Sequence, residues 1–268
     1  MSGWRLTLRQ APPLRLDLRA LQPREGITAA ELEQLPLGHG RELLPLAEFF
    51  TIAPAAEWVL EGEGLARCDR IGWQMAGGTL RVAGSAGHHA GTGMSGGQLL
   101  IEGDAGVHAG CEMSGGMLDI GGDVDEFAAG ALPGSMDGMR GGTLIVRGNA
   151  GPRFGDRMRR GTALVLGDAG DFLASRMVAG TIAVAGRIGA HPAYGMRRGS
   201  LVLRQSPPAL PATFVPAGAE AAVFWQLLAR ELARLDESFA DLPGRAIERH
   251  LGDLAADGRG ELILLLPR

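Results

Sequence analysis

The chain has 268 residues, 46% hydrophobic and 21% charged, with a formal net charge of −4. This describes a globular protein with a sizeable core and excludes both disorder and charge-driven nucleic-acid binding. Two cysteines, Cys68 and Cys111, are too few for a disulfide framework. No apolar run approaches a membrane span of roughly 20 residues, and the first ten residues lack the apolar core of a signal peptide, so the expected location is cytoplasmic.

Residues 1–55 read as an N-terminal capping segment. Leu6-Thr7-Leu8 is strand-like, Leu14 to Leu18 alternates, and Thr28 with Glu31 three residues on starts a short helix running to Leu35. Residues 56–204 keep a nineteen-residue period. Met75, Met94 and Met113 are in phase, as are Met139, Met158, Met177 and Met196, and the gap of 26 between Met113 and Met139 is one period plus a seven-residue insertion. Glycines follow the same clock at Gly78, Gly97, Gly116, Gly142, Gly161, Gly180 and Gly199. With 43 glycines, about twice the usual share of roughly 7%, the residue is positional.

Each repeat holds a short alternating strand. Leu80 and Val82 recur as Leu99 and Ile101, Leu118 and Ile120, Leu144 and Val146, Ala163 and Val165, Ile182 and Val184, and Leu201 and Leu203. The intervening column (Arg81, Leu100, Asp119, Ile145, Leu164, Ala183, Val202) is mixed, and its apolar members suit the docking of partner proteins. Pairs such as Gly103-Asp104, Gly122-Asp123, Gly148-Asn149 and Gly167-Asp168 suit turns with positive φ. No helix fits in so short a unit. The expected fold is an all-β solenoid, a right-handed β-helix of about six to seven coils stacked at roughly 4.8 Å, with methionines filling its interior and small α/β caps at both ends. Residues 205–217, with four prolines between Ser206 and Pro216, read as a linker. Residues 218–268 read as a C-terminal cap, with an amphipathic helix over Ala219–Leu235 and a last strand over Glu261–Leu266.

Chemistry-bearing residues are sparse. His89 and His108 share a column with Phe127, Arg153, Phe172 and His191, which points to a stacked pair at a turn rather than a metal site. Cys111 sits beside Glu112, which disfavours a thiolate. Asp123, Asp125 and Glu126 lie near the insertion and read as a solvated loop. Glycine-rich turns lack the strand–loop–helix setting and the lysine of a phosphate loop; all 26 basic residues are arginine. Arginine does recur on the clock in late repeats: Arg157 with Arg176, Arg140 with Arg159 and Arg197, and Arg160 with Arg198. Earlier repeats carry Gly93, Ser95, Glu112 and Ser114 at those columns. Such a stripe suits an extended polyanion, because guanidinium forks match carboxylates.

The spacing at Gly84/Gly87/Gly91, Gly103/Gly106/Gly110 and Gly148/Gly151/Gly155 resembles a repeat found in two enzyme groups. One is the C-terminal domain of the glutamate synthase large subunit; the other is the C-type subunit of formylmethanofuran dehydrogenase. Chain length and flanks favour the second. Leu35-Pro36-Leu37-Gly38-His39-Gly40 with Leu46-Ala47-Glu48-Phe49-Phe50 is similar to the N-terminal segment of that C-type family. Arg249-His250-Leu251-Gly252-Asp253-Leu254 with Gly258-Arg259-Gly260-Glu261-Leu262-Ile263 resembles its C-terminal signature, with Arg259 where the family usually has Lys. Ala174 and Ala193 depart from the glycine pattern, an expected loosening of those repeats.

The resemblance implies a component of a one-carbon enzyme. In methanogens the complex interconverts carbon dioxide and formylmethanofuran on a tungsten or molybdenum pterin. In methylotrophic bacteria the related formyltransferase/hydrolase complex moves a formyl group from tetrahydromethanopterin to a methanofuran analogue and releases formate, and the arginine-only composition favours this version. By the resemblance, this chain is a scaffold with no catalytic residue and no cofactor of its own. Zinc, or the tungsten/molybdenum pterin, belongs to its partners, which are the catalytic A-, B- and D-type subunits. The methanofuran-type cofactor carries a polyglutamate tail that Arg140, Arg157, Arg159, Arg160, Arg176, Arg197 and Arg198 are expected to guide. The dehydrogenase component and a stand-alone glutamate synthase-like module remain the alternative readings, and a ligand-free docking platform is a third.

Overall fold

The computed structural model describes residues 3–207, 209–217 and 222–266. Pro208 of the expected linker and Ala219 to Ala221 of the expected helix lie outside the described residues.

Each nineteen-residue unit contributes one strand to a single sheet of thirteen. The parallel part starts with Gly3–Leu8 and Trp58–Glu61 and continues through Thr79–Ala83, Ser95–Ile101, Ser114–Ile120, Arg140–Val146, Arg160–Val165, Thr181–Val184 and Ser200–Leu203 to Gly260–Leu265. Phe50–Ala55 pairs antiparallel at one end; Ile247–Gly252 and then Val215–Ala217 do so at the other. Beyond its strand, each unit is turns, joined to its neighbours by one bridging residue in the file Ala86, Ala105, Val124, Ala150, Ala169 and Ile188.

This overturns the expectation of a right-handed β-helix with separate caps. A repeat does not wind through several short strands. It supplies one strand to a large, mostly parallel sheet; strands from both termini extend that sheet, while Leu16–Asp17, Pro36–His39 and Glu42–Pro45 form a second, four-stranded sheet with Cys68–Asp69. The physical reason is local. Between strands the backbone enters the left-handed region so often that no second run of extended residues can form. The column Arg70, His89, His108, Phe127, Arg153, Phe172 and His191 has φ between 56° and 64°, although none of its members is glycine.

The period-two pattern works as read. Leu80, Val82, Leu99, Leu118, Ile120, Leu144 and Val146 are fully buried on one sheet face, with the seven clock methionines at 0% exposure beside them. Those methionines explain one glycine column. A Cβ on Gly97 would lie 2.6 Å from Met75 Cε and 2.6 Å from Gly78 O, so only glycine lets successive repeats close on each other. The opposite face corrects the docking expectation. Ile145, Leu164, Ala183 and Val202 are fully buried under the chain's own C-terminal segment, packed with Trp225, Ala229, Leu232 and Phe239. The helix Ala222–Leu235 thus takes the late-repeat part of the face that the sequence offered to partners, and leaves Leu100 half-buried outside that cluster.

The turn acids also act differently from the expectation. Asp104, Asp123, Asn149 and Asp168 do not take positive φ. Their side-chain oxygens instead accept a backbone N–H from the next repeat: Asp104 from Asp123 at 2.8 Å, Asp123 from Asn149 at 2.6 Å, Asn149 from Asp168 at 2.8 Å and Asp168 from Arg187 at 2.7 Å. They form an inter-repeat ladder that satisfies turn donors. Ala174 and Ala193 keep left-handed φ of 57° and bond to the preceding repeat at 2.8 Å, so these repeats are not loosened.

Near the N-terminus Thr28 caps the helix Ala29–Glu33 in a full capping box with Glu31. Among the described residues no helix is long and apolar enough to cross a membrane.

Candidate functional site: an arginine cleft on one edge

Where two of the late repeats enter their strands, two successive N–H groups reach back to the same carbonyl. Arg159 and Arg160 donate to Met139 O at 2.7 and 3.2 Å, and Val178 and Ala179 donate to Met158 O at 2.8 and 3.3 Å. This bulge splays both side chains outward. It gathers Arg140, Arg159, Arg160, Arg197 and Arg198 around a cleft of about 480 Å³ whose remaining lining is Val178 and Ala179. The small pair in one repeat, between two repeats that each carry Arg-Arg, leaves the recess. The register differs from the clock in one respect: Arg140 faces Arg160, not Arg159, because the pairing slips at the bulge between Arg140 and Thr143.

The other two expected members lie elsewhere. Arg176 grips the buried Asp156 through Nη2 at 2.8 and 2.9 Å and Nε at 3.0 Å, and Ser175 Oγ donates to the same carboxylate at 2.6 Å. Arg157 lies 3.7 Å from Asp156 and donates to Met136 Sδ at 2.7 Å. Both serve as internal braces. Within the cleft Arg159 pairs with Asp137. Arg140, Arg160, Arg197 and Arg198 are exposed and make no ion pair among the described residues. Four like charges left without counter-charge around one recess repel each other, and an incoming polyanion relieves that repulsion.

The groups with nucleophilic or ligating chemistry are spent on packing. The Cys111 thiol donates to Phe127 O at 3.1 Å, and burial pushes its pKa up. Burial likewise raises Cys68 to about 12. His89 and His108 stack with ring centroids 5.0 Å apart and 3° between planes, and the stack continues to Phe127 at 5.4 Å. Arg153 then lies over both Phe127 and Phe172, and Phe172 stacks on His191. Burial first, then the facing His108, holds His89 down at about 4. Among the described residues no three His, Cys, Asp or Glu side chains are grouped as a metal centre.

No protein-family model and no curated protein matches the sequence. Among solved structures the chain is similar to a chain in the X-ray crystal structure of the formyltransferase/hydrolase complex (FhcABCD) from Methylorubrum extorquens in complex with methylofuran. The identity is 42% and the TM-score 0.90, over 98% of this chain and 100% of that one. This chain belongs to the same family as that component.

The two end segments have definite structural roles. In the C-terminal signature Asp253 N donates to Met196 O and Asp253 Oδ2 accepts from Gly195 N, both at 3.0 Å, closing the last repeat. A Cβ on Gly258 would lie 2.1 Å from Met196 O, and Gly260 packs closely on the Met196 side chain. These glycines are seats for the terminal methionine. In the N-terminal segment His39 packs on Phe49 with centroids 5.1 Å apart. Three participants in the cleft escape a reading of the sequence: Val178 and Ala179, whose smallness makes the recess, and Asp137. A signal exists for the last. Asp137 stands two residues before Met139, as Asp156 stands two before Met158.

Proposed function

We propose that this chain is the C-type subunit of a formyltransferase/hydrolase complex, a scaffold without catalytic residues of its own that holds the catalytic A-, B- and D-type subunits. The observation that carries this reading is the 42% identity running the full length of a chain of that complex. It favours this complex over a tungsten/molybdenum formylmethanofuran dehydrogenase and over a glutamate synthase-like module. The zinc of such a complex would belong to its other subunits. The exposed Val223, Phe224 and Leu227 on the outer side of the C-terminal helix offer a partner an apolar strip to cover.

The cleft supplies the chain's own contribution. Its unpaired guanidiniums fit successive carboxylates of a methanofuran-type polyglutamate tail, and Val178 and Ala179 fit the methylenes between them. The tail-guiding role thus rests on Arg140, Arg159, Arg160, Arg197 and Arg198, with Arg157 and Arg176 as supports. The test is Arg160→Gln with Arg198→Gln in the assembled complex at low salt. Loss of two charge-assisted contacts is expected to weaken tail binding roughly tenfold or more, with assembly intact. Unchanged cofactor affinity would remove the guiding role. Purification without the A-, B- and D-type subunits would remove the scaffold role.

A further inference from the structure

The seven-residue insertion breaks the clock just ahead of the first cleft arginine, and backbone contacts fix its position. Gly138 N donates to Arg157 O at 3.0 Å, and a Cβ on Gly138 would lie 2.6 Å from Asp156 O, so the insertion lies directly on the backbone of the next repeat. Arg157 holds it from the other side through Met136 Sδ. Ser135 Oγ accepts from Asp137 N at 3.2 Å and fixes the turn. The result is a carboxylate set on Arg159, the one cleft arginine with an ion-pair partner among the described residues, where both side chains remain about 40% exposed. Asp156, at the same place in the next repeat, is buried and bonded to both Ser175 and Arg176. One clock position thus holds a permanent brace in one repeat and an exchangeable counter-charge in the other.

We infer that Asp137 is a resident substitute for a ligand carboxylate, which an incoming polyanion displaces from Arg159, and that it tunes the affinity of the cleft. The inference rests on the tail-binding reading above. An exposed ion pair is weak enough to exchange, and a chain already held by the four other arginines brings its next carboxylate to Arg159 at high effective concentration. Asp137 therefore lowers affinity and favours release, which suits a tail that must move. It is a positioning residue acting through Arg159.

The test uses the full chain and a fluorescent oligo-γ-glutamate peptide at low salt, with Asp137→Asn, Arg159→Gln and the double variant. Asp137→Asn is expected to tighten binding roughly two- to fivefold, and the gain is expected to vanish in the Arg159→Gln background. An unchanged affinity in Asp137→Asn would overturn the inference. So would a gain that persists undiminished without Arg159, since that is only a change in overall charge. The tail-binding reading is judged separately: it falls, and this inference with it, if the unchanged chain leaves the peptide unbound or if Arg160→Gln/Arg198→Gln binds it equally well.

Discussion

The strand-entry corner of the early repeats and that of the late repeats share one backbone and differ in what they display. Ser95 and Gly96 donate to Met75 O, and Ser114 and Gly115 to Met94 O, as Arg159 and Arg160 do to Met139 O. The early corner is lined by small residues and the late one by a cluster of guanidiniums. The backbone hydrogen bonds are the same in both corners, so the first residue of each pair is free to vary; the second is glycine in the early repeats, where a Cβ on Gly96 or Gly115 would lie 2.4 Å from Ala76 O or Ser95 O, and carries a side chain only from Arg160 on. The inner columns have no such freedom: methionine, glycine and the left-handed residues are each fixed by the repeat next door. Function can therefore be written on one edge without disturbing the fold.

This contrast can be broken by substitution. The largest effect is expected at Gly142, at φ 83°, where a Cβ would lie 2.7 Å from Gly116 O. Gly142→Ala should cost about 3 kcal/mol or more, read as a drop in thermal midpoint. Gly110 sharpens the point. It too is left-handed, but the atoms a Cβ would meet are side-chain tips at 3.2–3.4 Å, and other repeats carry Ala129, Ala174 and Ala193 at that place. Gly110→Ala should cost only about 1–2 kcal/mol. If the two variants melt together, backbone proximity is not what selects glycine.

Next comes the brace. Asp156→Asn leaves Arg176 without a counter-charge and should destabilise by about 2 kcal/mol, whereas Arg160→Gln/Arg198→Gln should stay within about 0.5 kcal/mol of the unchanged chain. Equal losses would erase the distinction between bracing and displayed arginines.

The last test concerns pH. His89 is held at about 4 in the folded chain and titrates near 6.5 when unfolded, and His108 is lowered as well, by burial first and then by His88. Between these values the unfolded chain binds protons that the stacked pair does not. Stability should therefore fall as pH drops from above 6.5 toward 4. His89→Gln should flatten that slope in denaturant titrations followed across this range.

Much of this is legible in the chain, for a reason specific to repeats. A residue that must fit its own copy nineteen positions away leaves a column, and the columns of Met, Gly and Leu/Val locate the strands, the core and the late arginines. Asp137 and Asp156 do share a column, but their roles stay hidden because their partners sit at different offsets: Asp137 pairs with Arg159 and Asp156 with Arg176. The Gly-Asp turns lie where the sequence puts them but work by another means, since a carboxylate accepting a neighbour's N–H and one tolerating positive φ look the same in sequence.

By itself, then, the sequence determined the period, the buried face and the residues free to vary, because each depends on contacts between equivalent positions. Only the tertiary structure decided that the repeats assemble as one thirteen-stranded sheet, that the chain's own helix covers the late-repeat part of the apolar outer face, and that five of seven clock arginines meet at one cleft. Those outcomes depend on how unlike segments pack, on a one-residue slip in register and on which carboxylate reaches which guanidinium, and periodicity carries no record of any of them.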